Sequence, residues 1–123
     1  MYYIIIKDNK ELIIFKNCRG VETYINSLDF KEKISHTSIS RRLRNEYVIN
    51  FKNLQIYSSD SLGKYIVVNK INQTICFFES LRSIEEHIKE TYKSSPSYIT
   101  LSRRLKEEGI IYIQDLLIKE IEE

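Results

Sequence analysis

Two clusters of basic side chains are the residues in this sequence most able to do chemistry. They are Arg41, Arg42 and Arg44 in the first cluster and Arg103, Arg104 and Lys106 in the second. A guanidinium group can donate a pair of hydrogen bonds to a phosphate or to the edge of a guanine base. The alternative interpretation is a solvated basic face near the C-terminal end of a helix, which the helix dipole favours.

Hydroxyl and aromatic residues precede each basic cluster in the same predicted helix. The candidate contacts of this kind are Thr37, Ser38 and Ser40 in the first helix and Tyr98 and Thr100 in the second. Hydroxyl groups near a helix start can bond phosphates or base edges, but they can equally cap the helix or bond its backbone. For Tyr98 the alternative is a half-buried packing role. Lys52, in a predicted turn, is a further candidate contact unless that turn is an ordinary hairpin.

The basic clusters belong to a ten-residue stretch that occurs twice. Residues 35–44 read SHTSISRRLR, and residues 97–106 read SYITLSRRLK. Each copy opens with a serine, which is a favourable N-cap, and apolar residues four apart, such as Ile39 and Leu43, give it one apolar face. A short helix with one apolar stripe and an outer face of hydroxyl and basic residues is typical of the recognition helix of a helix-turn-helix.

The elements around the first copy predict a small α+β module. Tyr2–Lys7 and Glu11–Phe15 are predicted to form a β-hairpin. Val21–Leu28 has helical spacing, with Gly20 as a permissive N-cap, and Asn45 is a plausible left-handed C-cap for the helix that follows. Residues 47–57 then predict strand, turn and strand, as in a wing.

The second half of the chain repeats this order. Tyr65–Val68 is matched to Tyr2–Ile5 at an offset of about 63 residues. The second copy has one residue fewer in the connection between its helices, so the basic stretches align at an offset of about 62 residues. Ser83 and Glu86 predict a capping box for the first helix of the second copy. The last stretch, residues 114–123, favours a helix instead of a hairpin. Its apolar face would hold Leu117, Ile118 and Ile121, and its acidic end Glu120, Glu122 and Glu123.

We therefore predict an α+β protein of two tandem ββαα(β) modules of winged-helix-turn-helix type. The first module spans residues 1–58, a polar linker spans residues 59–63, and the second module, with its acidic C-terminal helix, spans residues 64–123. Residues 1–60 carry ten Lys and Arg against seven Asp and Glu, a net +3, whereas residues 61–123 carry nine against ten, a net −1. Any electrostatic attraction for phosphate should be stronger in the first half.

Composition favours neither an enzyme nor a metalloprotein. With only three glycines, the chain has no Gly-rich phosphate loop, and no nucleophile, base and acid occur at a recognisable spacing. Cys18 and Cys76 are unmatched in the repeat, so we expect no zinc site and no cofactor, but two buried or half-buried thiols in a reducing compartment. No apolar run approaches the roughly 20 residues of a membrane span, and the N-terminus lacks signal-peptide features. We expect a cytoplasmic protein, in the host cytoplasm if it is phage-encoded.

The repeat resembles the modular DNA-binding repeats of homing endonucleases and phage proteins, the intron-encoded-nuclease-repeat class. The residues that carry the resemblance are Phe15, Val21, Glu22, Ser38, Ile39, Ser40, Arg41, Arg42 and Leu43 in the first copy, and Phe78, Ser80, Ser83, Ile84, Glu85, Thr100, Leu101, Ser102, Arg103, Arg104 and Leu105 in the second. The resemblance implies that the second helix of each module binds duplex DNA.

The favoured hypothesis is a small regulator or accessory factor of a phage or mobile element that binds double-stranded DNA. A protein-interaction module is the main alternative. It would inhibit a host enzyme or form a homodimer through the predicted C-terminal helix. The third alternative is binding of structured RNA.

Overall fold

Two compact units make up the chain, Met1–Ser61 and Leu62–Glu123. The computed structural model describes residues 1–121, which form four helices and two four-stranded antiparallel sheets. The fold class is therefore α+β, as the sequence predicts. No helix within the described residues is long and apolar enough to cross a membrane.

The first unit places two helices between two β-hairpins. Its elements are β1 (Tyr2–Lys7), β2 (Glu11–Phe15), α1 (Cys18–Ser27), α2 (His36–Asn45), β3 (Ile49–Phe51) and β4 (Leu54–Ser59). The antiparallel sheet has the strand order β2-β1-β4-β3. The two strands that are furthest apart in sequence, β1 and β4, therefore pair at the centre of the sheet.

The second unit repeats this arrangement. Its elements are β5 (Tyr65–Asn69), β6 (Thr74–Phe78), α3 (Leu81–Tyr92), α4 (Tyr98–Glu108), β7 (Ile110–Ile113) and β8 (Leu116–Glu120). Its antiparallel sheet has the order β6-β5-β8-β7, which is the order of the first unit. The repeat seen in the sequence thus corresponds to a repeated topology.

Each unit packs its helices on one face of its sheet. In the first unit Val21 and Ile25 of α1 and Ile39 of α2 are at most 1% exposed and pack with Ile5 and Ile56 of the sheet. The second unit packs Ile84, Ile88 and Leu101 with Val67 and Ile118 in the same way. Burial of these branched apolar side chains is the main stabilising contribution to each unit.

The predicted C-terminal helix is wrong. Residues 116–120 form β8, which pairs with β5 on one side and β7 on the other. Leu116, Leu117 and Ile118 are all buried, so both faces of this central strand are shielded from solvent. A strand of this kind carries consecutive apolar residues, and periodicity alone cannot distinguish such a run from a buried helix segment. Glu122 and Glu123, from the predicted acidic end, lie outside the described residues. The predicted homodimer contact depended on this helix, so that prediction is withdrawn with it.

The predicted ββαα(β) order and the wing need a related correction. Each unit has the order ββααββ, and both strands of its last hairpin join the sheet. In the first unit the hairpin tip is tied down, because the Asp8 N–H donates to the Asn53 carbonyl at 3.0 Å and the Asn53 amide donates to the Asp8 carboxylate at 2.7 Å. The hairpin extends the sheet instead of projecting as a wing.

Both first helices begin earlier than predicted. α1 is capped by Asn17, whose side-chain oxygen accepts a hydrogen bond from the Gly20 N–H at 2.8 Å. α3 is capped by Ser80, whose hydroxyl accepts from the Ser83 N–H at 3.2 Å. Each actual N-cap, Asn17 or Ser80, lies three residues before the predicted one and accepts a free N–H of the first turn. The predicted N-caps, Gly20 and Ser83, therefore lie inside the helices.

Two smaller predictions also fail. α2 ends through Glu46, which has an extended backbone, so Asn45 is helical and not a left-handed cap. Cys18 is half-buried as predicted, but Cys76 is exposed, because it lies on β6, an edge strand of the second sheet.

The alignment of the two first strands shifts by one residue. Tyr3 pairs with Phe15, and Tyr65 pairs with Phe78, so Tyr65 corresponds to Tyr3 and not to Tyr2. The β5–β6 turn contains one more residue than the β1–β2 turn. A one-residue error in a strand exchanges its two faces, so this correction decides which tyrosine faces the helices.

Replacing a core residue on α2 tests this packing. Ile39→Ala removes a fully buried side chain, so we expect the free energy of unfolding of the first unit to fall by about 2–5 kcal/mol. Ile71→Ala is the matched control, because Ile71 is 74% exposed in a turn. Urea denaturation followed by circular dichroism measures both. Equal unfolding midpoints for the two variants would contradict the assigned core.

Candidate nucleic-acid interface

The second helix of each unit, α2 or α4, begins at a serine cap. The Ser35 hydroxyl accepts a hydrogen bond from the Ser38 N–H at 3.1 Å, and the Ser97 hydroxyl accepts from the Thr100 N–H at 3.3 Å. Both caps confirm the sequence prediction. The Thr100 hydroxyl also lies 3.2 Å from the Ser97 hydroxyl, so it takes part in the helix start.

A carboxylate from the first helix of each unit binds the start of the second. Glu22 accepts a hydrogen bond from the backbone N–H of His36 and lies 2.8 Å from its Nδ1. In the second unit Glu85 accepts from the backbone N–H of Tyr98 at 2.6 Å. We call this contact the helix-start link. It satisfies a free N–H and places a negative charge at the positive end of the helix dipole.

The helix-start link changes the acidity of both carboxyl groups. Donation by the His36 backbone N–H is the main cause that lowers the pKa of Glu22. The pKa of Glu85 is lowered first by the Lys89 ammonium group, 2.8 Å away, and then by the Tyr98 N–H. The link therefore favours the charged form of Glu22, and it adds to the effect of Lys89 on Glu85.

An exposed stripe runs along the outer side of each second helix. In α2 the stripe consists of Thr37, Arg41 and Arg44, which are spaced four and three residues apart and are all exposed. The matching stripe of α4 consists of Ile99, Arg103 and Lys106, which are exposed as well. We call these the outer stripes. They lie on the side of each helix away from the buried residues Ile39 and Leu101.

The six predicted basic residues divide into two groups. Arg42 and Arg104 are half-buried, and each donates from Nε to a glutamate four residues later, Glu46 or Glu108, at 3.1 Å. The four basic side chains of the outer stripes form no ion pair or side-chain hydrogen bond with any residue in the range 1–121. The outer-stripe cations are therefore available to an external anion.

The other predicted contacts are either paired with a carboxylate or half-buried. Lys52 lies in the β3–β4 turn, and its ammonium group binds the Glu32 carboxylate at 2.9 Å. Ser38 and Ser40 are half-buried on α2. Of the predicted hydroxyl contacts, Thr37 alone is exposed together with the unpaired arginines.

Tyr98 packs against an arginine that was absent from the predicted site. The Arg82 guanidinium donates to the Tyr98 hydroxyl at 3.0 Å, and its central carbon lies 4.6 Å from the ring centroid. Arg82 is the second residue of α3 and matches Arg19, the second residue of α1. The recurrence of these two arginines is visible in the sequence, but the proximity of Arg82 to Tyr98 depends on tertiary packing.

Comparisons with known proteins add no assignment. Neither protein-family models, nor curated proteins, nor solved structures give a match to this chain. Within residues 1–121 no three His, Cys, Asp or Glu side chains come close enough together to hold a metal ion. The geometry of the second helices is therefore the main evidence on function.

The two contacts of Glu85, with the Lys89 ammonium group and with the Tyr98 backbone N–H, predict a pH-dependent stability. The folded-state pKa of Glu85 lies below its ordinary value of 4.5, so its stabilisation is present above pH 4.5 and is lost as the pH falls through the lowered pKa. We expect Glu85→Gln to lower the urea unfolding midpoint near neutral pH, and the difference from wild type to shrink in acid.

Glu86→Gln is the matched control, because Glu86 is the next residue of the same helix and is exposed. It removes the same charge without touching the link. The two variants must therefore differ near neutral pH and converge in acid. Identical pH profiles would show that neither contact of the Glu85 carboxylate stabilises the fold.

Proposed function

We propose that the chain binds duplex DNA through the outer stripes of α2 and α4, as a small regulator or accessory factor of a phage or mobile element. In this proposal the two helices of each unit act as a helix-turn-helix-like pair, and the second helix enters the major groove. The resemblance to the DNA-binding repeats of homing endonucleases supports the same use of the second helix.

One observation carries the proposal. Arg41 and Arg44 are exposed on one stripe of α2 and have no carboxylate partner among residues 1–121. By contrast, Arg42 of the same helix donates to Glu46 and is occupied by that ion pair. Two unpaired guanidinium groups on one helix face are suited to phosphates and guanine edges.

Charge distribution favours the first unit as the stronger site for phosphate. Within α2 there are three arginines and no acidic residue, whereas α4 carries three basic residues together with Glu107 and Glu108. Binding that neutralises phosphates releases counterions, so its affinity must fall steeply with salt. The outer stripe of α2 should account for most of that dependence.

Removal of the two unpaired arginines tests the proposal. Arg41→Ala combined with Arg44→Ala should weaken binding to a labelled duplex more than tenfold, because each good contact contributes about 1–3 kcal/mol. The slope of log affinity against log salt should decrease by about one for each lost phosphate contact. Fluorescence anisotropy over a range of salt concentrations measures both quantities.

Lys16→Ala combined with Lys31→Ala is the charge-matched control, since both lysines are exposed in the first unit outside α2. It removes the same two charges and should change affinity much less. Equal losses of affinity for the two double variants would show that the effect depends on net charge alone and not on the outer stripe of α2. Tighter binding to structured RNA in competition would favour the RNA hypothesis, and salt-independent binding to a protein would favour the interaction module.

A further inference from the structure

An exposed isoleucine lies among the cationic residues of α4. Ile99 is 65% exposed, and among residues 1–121 it is the one large apolar side chain in a helix that is so exposed. Leaving an isoleucine in water forfeits the free energy of its burial. A single exposed apolar residue is common on protein surfaces, so its surroundings decide whether it has a role.

Ile99 has an aromatic residue before it and a cationic residue one helical turn after it on α4. It follows Tyr98, whose ring and hydroxyl contact the Arg82 guanidinium, and it precedes Arg103 by one helical turn on the same outer stripe. An entirely apolar groove on another protein would leave the Arg103 guanidinium without a partner. A polyanion would provide one, so the charge selects a partner that combines negative charge with a local apolar group.

Duplex DNA offers one such combination in the major groove. The edges of the bases are polar there, except for the C5 methyl group of thymine, which is the one apolar group that they present. Phosphates flank the groove at the positions where the arginines of a docked helix would lie. Ile99 is the second residue of α4, and residues near the start of a recognition helix are those that contact base edges.

We infer that Ile99 is a specificity-determining residue that contacts a thymine methyl group. This inference rests on the proposed function. The matching position in α2 is Thr37, whose smaller side chain is also exposed. The two units therefore make different contributions: α2 supplies the larger cationic charge, and α4 supplies an apolar contact that distinguishes thymine from the other bases.

The test compares thymine with deoxyuridine, which lacks only the C5 methyl group. Duplexes that bind the full wild-type chain are first selected from a random library, and each thymine in the selected site is then replaced by deoxyuridine. We expect one position at which this replacement weakens wild-type binding about fourfold, the effect of one buried methyl group. Ile99→Ala should weaken binding to the thymine duplex similarly and be insensitive to the replacement.

Two further variants complete the experiment. Ile99→Val retains a branched apolar side chain and should keep part of the thymine preference. Ile71→Ala, which truncates the 74% exposed isoleucine of the β5–β6 turn, should keep all of it. Because both isoleucines are exposed, unchanged circular dichroism spectra and unfolding midpoints should verify that each variant folds.

The inference and the proposed function can fail separately. If no thymine position is sensitive, or if Ile99→Ala keeps the sensitivity, the inference is overturned. DNA binding that still depends on salt and on Arg41 and Arg44 would then leave the proposed function intact. A wild-type chain that binds no duplex DNA would overturn both, and one that uses Ile99 only to self-associate would overturn the inference alone.

Discussion

The helix-start link is the contact that orients the candidate interface. In each unit a glutamate of the first helix, Glu22 or Glu85, accepts the first backbone N–H of the second helix. That contact fixes where the second helix begins, and the burial of Ile39 or Leu101 fixes its rotation about its own axis. With the start and the inner face determined, the helical period places the outer stripe on the opposite side, where its residues are exposed.

The two units share this framework but differ in what they expose. Both use a serine cap, a glutamate link and an arginine near the start of the first helix. The partner of the glutamate differs, however, since His36 offers its ring nitrogen as well as its N–H, whereas Tyr98 turns its hydroxyl to Arg82. A repeated framework with different exposed residues is the arrangement expected of modules that have kept one geometry and acquired different surfaces.

Local features of the fold could be predicted from the sequence, and its long-range pairings could not. The first hairpin and the serine caps of α2 and α4 follow from β-branched runs and cap chemistry within a few residues. The pairing of β1 with β4 joins residues about fifty positions apart, and nothing local to Leu54–Ser59 specifies it. The strand β8 could not be distinguished from a helix for the same reason, since its pairing with β5 joins residues about fifty positions apart.

The candidate site was predictable to a similar extent. Helical spacing was sufficient to place Arg41 and Arg44 on one stripe. It was not sufficient to separate them from Arg42, whose partner Glu46 follows the predicted helix, or to find Arg82 beside Tyr98. The role of Glu22 could not be predicted either, because the N–H that it accepts belongs to His36, fourteen residues away across a connection without regular structure. Contacts of that range follow from packing and not from composition.

The two kinds of arginine on α2 and α4 differ in what the fold requires of them. Glu46 and Glu108 lie near the C-terminal ends of their helices, where the dipole disfavours a carboxylate, and Arg42 and Arg104 offset that repulsion. With the arginine N-terminal to the glutamate, such a pair contributes about 0.2–0.5 kcal/mol or less. The unpaired cations of the outer stripes have no such carboxylate to offset within residues 1–121. Arg44 and Lys106 lie in the last turns of their helices, where the dipole favours a cation without any carboxylate partner.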